Sequence, residues 1–550
     1  MTKRSLLVVA LIAAAVATLS AARQAAPPEP RVDAILSKWT AASPGCAVGV
    51  SQNGTAVLEK GYGMADLEHG VPIGPDTIFE AGSVSKQFTA AAMLLLARDG
   101  QLSLDDQARK FIPELPDYGA PLTIRHMLNH TSGLRDWGNL AAIAGWPRGT
   151  RTHTHAHVLD IVSRQRALNF PSGARYSYSN SGYNLAAIIV ARVSGQSFAE
   201  FTRARIFAPL GMTRTSWRDD YTRIVKDRAI AYSDGPGGFA MEMPFENVHG
   251  NGGLLTTVGD LLKWSRNFSQ PVVGDAAFVK EQLEPGRFND GRQHSYALGL
   301  IVGTYRGVRE VSHSGATAGY RAWLSEYPER QLAVAVLCNV SSGAATQYAH
   351  AVADVYLGLP ASTAAASSAD GGQGEGSASS TRSNPALDAL AGMYRRTDTG
   401  EPITVTREGD VLRAGSGSRL TAQSDTRFAG ASGLIYEFTN DGLTVTDAVG
   451  SRTAYARVRG EELSPRPLAG YAGTYVSDEA ETTLIAGVDG DVLVLKRRPD
   501  TVIRLAPVYA DAFRGSIGFV RFHRDASGQI LSLSVTQDRV WDMRFQRNSR

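Results

Sequence analysis

Hydrophobic and polar positions divide the chain into three stretches. Residues 28–360 mix two periods. "GCAVGVSQNGTAVLEKGYG" alternates on both sides of Asn53-Gly54 and predicts two strands joined by a tight hairpin. "RQLAVAVLCNV" is a continuous apolar run with the length of a buried strand. Between them helical spacing prevails: "QFTAAAMLLLARDG" with a stop at Gly100, "TIRHMLNH", "NLAAIIVARVSG" and "VGDLLKWSRNF". "ATQYAHAVADVYLG" predicts a last helix lying on the sheet. Strands at both ends with helices between them point to one sheet closed by the two ends of the segment, with a helical insertion.

The pattern then stops. Residues 361–386, which include "ASTAAASSADGGQGEGSASSTRSN", are small and polar and cannot bury a core, so they read as a flexible linker. Beyond it the runs are short and alternating, and they repeat. "LAGMYRR" at Leu390 recurs as "YAGTYVS" at Tyr471, and "EGDVLRA" recurs as "DGDVLVL". Tyr394 to Tyr475 and Gly409 to Gly490 share one spacing of 81 residues. Two matches at one offset indicate duplication. We expect two small antiparallel barrels, 387–465 and 466–550, in preference to one continuous sandwich.

Composition narrows the class. A hydrophobic fraction of 43% and a charged fraction of 20% are ordinary for a globular protein. A net charge of +3 over 550 residues gives no basis for a nucleic-acid partner. Lys3 and Arg4, the apolar run Leu6 to Leu19 and the small residues Ser20-Ala21-Ala22 have the order of a cleaved secretory signal, residues 1–22. The run is shorter than the roughly 20 residues of a membrane span, and no cysteine follows it for a lipid anchor. The expected destination is the periplasm or the medium, with no membrane attachment after cleavage. The two cysteines, Cys46 and Cys338, lie in β-like apolar runs, where a small buried hydrophobe is expected in preference to a bridge.

One short stretch, "AGSVSKQF", conflicts with simple burial. Ser83 and Lys86 are three residues apart at the mouth of an apolar helix, so both project from one face. A hydroxyl becomes a nucleophile when a base takes its proton. A lysine held out of water loses part of its preference for the charged form and can act as that base. Alone the pair is weak, since a helix start with an exposed lysine gives the same letters. Further along, Tyr178-Ser179-Asn180 precedes another apolar helix. A phenol can relay a proton, and the Asn180 amide can hold both Lys86 and a substrate carbonyl. His313-Ser314-Gly315 lies on a strand-like run. Gly315 is expected to let a substrate backbone approach, and the Ala316 N–H to pair with that of Ser83 as an oxyanion hole.

These segments, with "LTIRHMLNHTSGL" and "GNGGLLTTVGDLLKW", resemble the penicillin-recognising serine hydrolases: class C β-lactamases, DD-peptidases, D-aminopeptidases and related esterases, peptidase family S12. The resemblance covers about residues 30–358, within the expected domain 28–360. It implies an α/β, β-lactamase/transpeptidase-like domain, with an antiparallel sheet beside an all-helical lobe and the cleft between them. It implies that Ser83 is acylated and the acyl-enzyme hydrolysed. Lys86 and Tyr178 would share the proton transfers in an order left open, Asn180 would orient substrate, and His313 and Gly315 would line the far wall. β-Lactamases and DD-peptidases usually carry a lysine at the position of His313. A neutral histidine attracts a carboxylate less, which favours substrates without a free carboxylate beside the scissile bond. A catalytic domain followed by two barrels resembles the D-aminopeptidase layout.

Other residues draw weaker expectations. His153, His155 and His157 in "THTHAH" read as a solvated helix start, with no acidic or cysteine partner nearby for a metal. "HTSGL" after His126 reads as a structural turn lining the cleft, Trp137 equally as a substrate contact or an exposed loop aromatic, and Asp260 as a helix cap in preference to a catalytic acid. No cofactor is implied. The leading function is an exported serine hydrolase of small-molecule or peptide substrates, with D-amino-acid peptidase placed before carboxylesterase and weak β-lactamase. A receptor with the same fold and no catalysis is the alternative from another class, and the oligomeric state stays open.

Overall fold

A computed structural model describes residues 28–360, 385–415, 417–460 and 466–548. The expected signal peptide, and the linker up to residue 384, lie outside the described residues. The hairpin forms where expected. Strands β1 (Cys46–Gln52) and β2 (Thr55–Tyr62) meet at Asn53 and Gly54, both with positive φ, as a two-residue turn of matching twist requires. Strands β3 (Ile301–Tyr305), β4 (Val308–Thr317), β5 (Tyr320–Tyr327) and β6 (Leu332–Cys338) complete an antiparallel sheet in the order β3-β4-β5-β6-β1-β2. The two ends of the segment therefore close one sheet.

Every residue of β6 is buried, because both faces of the sheet are covered. Ala333, Ala335 and Leu337 face the helical lobe, while Val334, Val336 and Cys338 face helices α1 (Pro28–Leu36) and α5 (Ala345–Leu357). That alternation is the period of two expected for a strand between layers. The lobe packs around α2 (Lys86–Arg98) and α3 (Asn180–Ser194), which touch each other, and α4 (Val258–Arg266) lies against β6 and β1. Among the described residues no helix is long and apolar enough to cross a membrane.

The cysteines depart from expectation. Cys46 and Cys338 face each other in the β1–β6 register and form a disulfide, Cα–Cα 4.0 Å, closing 292 residues of chain. Only closure of the sheet brings the two runs side by side. Replacing both by alanine is expected to lower unfolding stability by about 2–4 kcal/mol, because a long loop in the unfolded chain is released. Denaturant midpoints of the double variant and the parent check this; equal midpoints would show that β1–β6 pairing alone holds the ends.

The C-terminal region forms two closed eight-stranded barrels, not one sandwich. The first runs from Gly392–Arg396 to Arg452–Arg457 and the second from Gly473–Ser477 to Val540–Arg547. Their contacts repeat as their letters do. The Tyr394 hydroxyl donates to the Leu390 carbonyl at 2.8 Å, and the Tyr475 hydroxyl to the Tyr471 carbonyl at 2.9 Å.

The second barrel docks on the helical lobe. Leu140 and Ile143 of helix Trp137–Ala144 join the barrel's apolar cluster, and Arg497 donates to the helix's terminal carbonyls of Ala142 and Ile143. Arg135, only 4% exposed, donates to Glu479 at 3.0 Å and to the Trp541 carbonyl at 3.3 Å. Trp137, in the same helix, is buried in the lobe's own core against His153, not exposed on a loop.

The "THTHAH" run is likewise not a solvated start. Thr154 caps helix His155–Ser163 in a reciprocal capping box with His157. His155 stacks on His249 at 4.1 Å, and His153 is buried. Asp260 is not the cap of α4. Thr257 is, and the buried Asp260 instead accepts from the Arg214 amide and the Thr215 hydroxyl.

Candidate active site

Ser83 sits in a single 3-10 turn, Gly82–Ser85, that leads directly into α2, whose first residue is Lys86. The N–H groups of such a first turn have no intrahelical acceptor. The turn runs along the edge of β4. Thr317 pairs with Tyr320 across a two-residue hairpin, so Gly315 and His313 exchange backbone bonds with β5 while Ser314 and Ala316 turn theirs to the opposite side. On that side β3 has ended, at Ile301 opposite Ser312, and the Ser83 turn takes its place.

Two glycines permit the approach. A Cβ on Gly315 would lie 2.0 Å from the Ala81 carbonyl oxygen, and one on Gly82 would lie 2.6 Å from the Ala316 nitrogen; Gly82 also has φ +51°. The closeness at Gly315 thus serves the nucleophile's own turn, not substrate backbone. Ser83 and Ala316 line the same cavity, and the Ala316 nitrogen lies beside the turn that carries Ser83, which makes their two N–H groups the candidate oxyanion hole. Gly315→Ala is expected to lower kcat at least tenfold by displacing the turn, with circular dichroism little changed. A kcat within twofold of the parent would show that the turn tolerates the shift.

Lys86 is fully buried. Its Nζ lies 2.9 Å from Asn180 Oδ1, 2.7 Å from the Asn251 carbonyl oxygen and 3.2 Å from Ser83 Oγ. Burial holds Lys86 well below the ordinary lysine range; the guanidinium of Arg539 adds to this, Asp136 opposes it, and Arg148 adds again. The two amide oxygens accept from the amine, which leaves its third direction for Ser83.

Tyr178 hydrogen-bonds Ser83, and burial raises its phenol above the ordinary tyrosine range, so it keeps its proton. Its ring lies 4.7 Å from Lys86 Nζ and packs on His130 at 4.2 Å. His130 does not itself line the cleft. It sits behind Tyr178 with φ +59° and accepts from the Ser179 amide through Nδ1. Asn180 is the first residue of α3, and its own N–H donates to Asp136 Oδ2 at 2.7 Å.

His313 closes the strand side with both ring nitrogens engaged. Nδ1 donates to the Ser314 carbonyl at 2.6 Å, and Nε2 accepts from the Tyr296 hydroxyl at 2.9 Å. Burial pushes its pKa down to about 3, so the ring is neutral.

The structure thus gathers Ser83, Tyr178, Asn180, His313 and Ala316 around one cavity of about 380 Å³, with Lys86 buried behind Ser83 and Asn180 and Gly315 behind the Ser83 turn. It adds Asn251, Tyr296, Arg148 and Arg539, which the sequence reading did not select. Asn251 lies in "GNGGLLTT", whose three glycines, Gly250, Gly252 and Gly253, mark a tight approach and are its one signal. Arg539 comes from the second barrel and has no local signal. Among the described residues the one group whose spacing could hold a metal is half-buried Asp66 with exposed Glu68 and His69, none of which lines this cavity.

Comparison with known proteins shows the family and the fold. A family model described as Beta-lactamase matches residues 16–357. A D-aminopeptidase of Gluconobacter oxydans is 30% identical over 321 residues, 58% of this chain and 59% of that protein. A D-aminopeptidase of Cereibacter sphaeroides is 30% identical over 414 residues, 73% of this chain and 75% of that protein. An octameric penicillin-binding protein homologue from Pyrococcus abyssi superposes with a TM-score of 0.55 at 22% identity, covering 86% of this chain and 98% of its own.

Proposed function

The chain belongs to the Beta-lactamase family, and from that premise we propose that it is an exported hydrolase of D-amino-acid amides or peptides working through an acyl-enzyme on Ser83. It is a serine hydrolase of the S12 type. The observation that carries the mechanism is the buried Lys86 amine 3.2 Å from Ser83 Oγ.

A neutral amine has two hydrogens and one lone pair. The hydrogens go to Asn180 Oδ1 and the Asn251 carbonyl, and the lone pair faces the Ser83 hydroxyl. Lys86 takes the hydroxyl proton as Oγ adds to the substrate carbonyl, and the oxyanion receives the N–H groups of Ser83 and Ala316. Tyr178, still protonated, gives its proton to the leaving nitrogen as the C–N bond breaks, and the Lys86 ammonium restores it. In deacylation a water gives its proton to Lys86 and its oxygen to the acyl carbon, and Lys86 returns a proton to Ser83 Oγ. Asn180 holds both Lys86 and the substrate carbonyl.

The D-amino-acid part rests on the D-aminopeptidase relatives. Export is supported by the signal-like start and by the Cys46–Cys338 disulfide, which persists in oxidising compartments. A panel of D- and L-alanyl amides, a chromogenic ester and a cephalosporin tests the substrate class. Faster hydrolysis of the D-alanyl amides is expected; turnover of the ester alone would replace this reading with a carboxylesterase.

A further inference from the structure

The lining of the cavity around Ser83 is one-signed, with the buried carboxylate of Asp136 lying behind Asn180. Among its lining residues two are arginines and none is a carboxylate. Arg148 is already matched: its Nε donates to Glu246 Oε2 at 3.0 Å and its Nη2 bonds the other oxygen of that buried carboxylate. Arg539 is not matched in this way. Its nearest carboxylate, Asp538, is 3.3 Å away and 70% exposed, and a solvated pair of this kind offsets little charge.

Arg539 is held in place. It lies on the turn between strands Ile530–Gln537 and Val540–Arg547 of the second barrel. Its carbonyl accepts from the Asp136 amide at 3.2 Å and from Asn169 Nδ2 at 3.0 Å, and Asn169 Oδ1 accepts from the Trp541 amide at 2.8 Å. The guanidinium lies 4.9 Å over the Tyr178 ring.

We propose that this site takes substrates whose leaving group carries a carboxylate, and that Arg539 reads it, making the second barrel the wall of the leaving-group subsite. The inference rests on the acyl-enzyme reading, in which Tyr178 protonates the departing atom. The leaving group therefore departs on the Tyr178 side, where Arg539 covers the same ring. A guanidinium fork binds a carboxylate through two parallel N–H bonds. A leaving group carrying an ammonium would meet a cation with no acid in the lining to offset it. The strand side supplies no cation, since His313 is neutral with both nitrogens engaged. Judged from His313 alone, a substrate lacking a carboxylate was favoured; the charge instead arrives from a segment more than 200 residues further on.

The test uses two esters of N-acetyl-D-alanine whose leaving groups are meta-hydroxybenzoate and meta-hydroxybenzamide, similar in shape and different in charge. The ratio of their kcat/KM values cancels any common change in Lys86 or Tyr178. The parent is expected to prefer the anionic ester by about 10- to 100-fold, the range of a hydrogen-bonded charge, and less at high salt. Arg539→Gln should bring the ratio near one and Arg539→Lys should keep part of it. A parent ratio at or below one, or a ratio unchanged in Arg539→Gln, overturns the proposal. If Ser83→Ala hydrolyses both esters at the parental rate, the acyl-enzyme reading fails and takes the proposal with it. If the ratio behaves as expected while D-alanyl amides are refused, the substrate assignment above fails and the subsite stands.

Discussion

Ser83→Ala is expected to lower kcat/KM on the best substrate by roughly four to six orders of magnitude, the scale seen when a covalent nucleophile is removed. Ser83 is half-buried, and its contacts are with Lys86 and Tyr178, not with the core. The variant should therefore fold and melt as the parent does. The residual rate should come from the oxyanion N–H groups and substrate binding, which the substitution leaves in place. Steady-state kinetics with a thermal melt on the same preparation decide the matter. A rate within tenfold of the parent, with the fold intact, would mean that Ser83 does not attack.

The second large effect falls on Lys86. Lys86→Met preserves the length and packing of the side chain and removes the amine. Loss of a positioned general base typically costs two to four orders of magnitude, and we expect about that much in acylation. The pH profile carries more information than the magnitude. The unprotonated amine is the active form, so the parental kcat/KM should fall as pH drops through the Lys86 pKa. Because burial and Arg539 hold that pKa well below the usual lysine value, the enzyme should stay active far below pH 10. Arg539→Gln removes a neighbouring positive charge, makes the ammonium easier to form and should move the acid limb to higher pH. In Lys86→Met the limb should vanish. A limb at an unchanged pH in both variants would assign it to another group.

What was readable in the chain depended on how local the determining contacts are. Asn53-Gly54 specifies its hairpin by its own backbone preferences, and the repeat at 81 residues predicts two like barrels without any tertiary knowledge. Ser83 and Lys86 announce themselves because packing alone would reject a lysine there. Tyr178 and Asn180 are legible because they open α3. Contacts between distant segments were not. The disulfide depends on β1 and β6 becoming neighbours, which follows from closure of the whole sheet and not from either run. Trp137 in isolation looks like a loop aromatic; it opens a helix capped by Asp136 and packs into the lobe's core, while Leu140 and Ile143 of the same helix join the second barrel's cluster. At Gly315 the expected neighbour is substrate backbone, whereas a Cβ there would meet the Ala81 carbonyl, because the Ser83 turn takes up the edge that β3 vacates. Asp136 joins the Asn180 amide to the Arg539 carbonyl, a link between three segments that no spacing in the sequence encodes.

Catalysis by this site requires that the Ser83 oxygen be made nucleophilic. Incubating the full-length protein with a serine-directed aryl phosphonate, then measuring intact mass and mapping the modified peptide, tests this directly. The expected result is a single adduct on Ser83, formed with loss of activity and much reduced in Lys86→Met. No adduct, or one carried by a different serine while Ser83 stays unmodified, would contradict it.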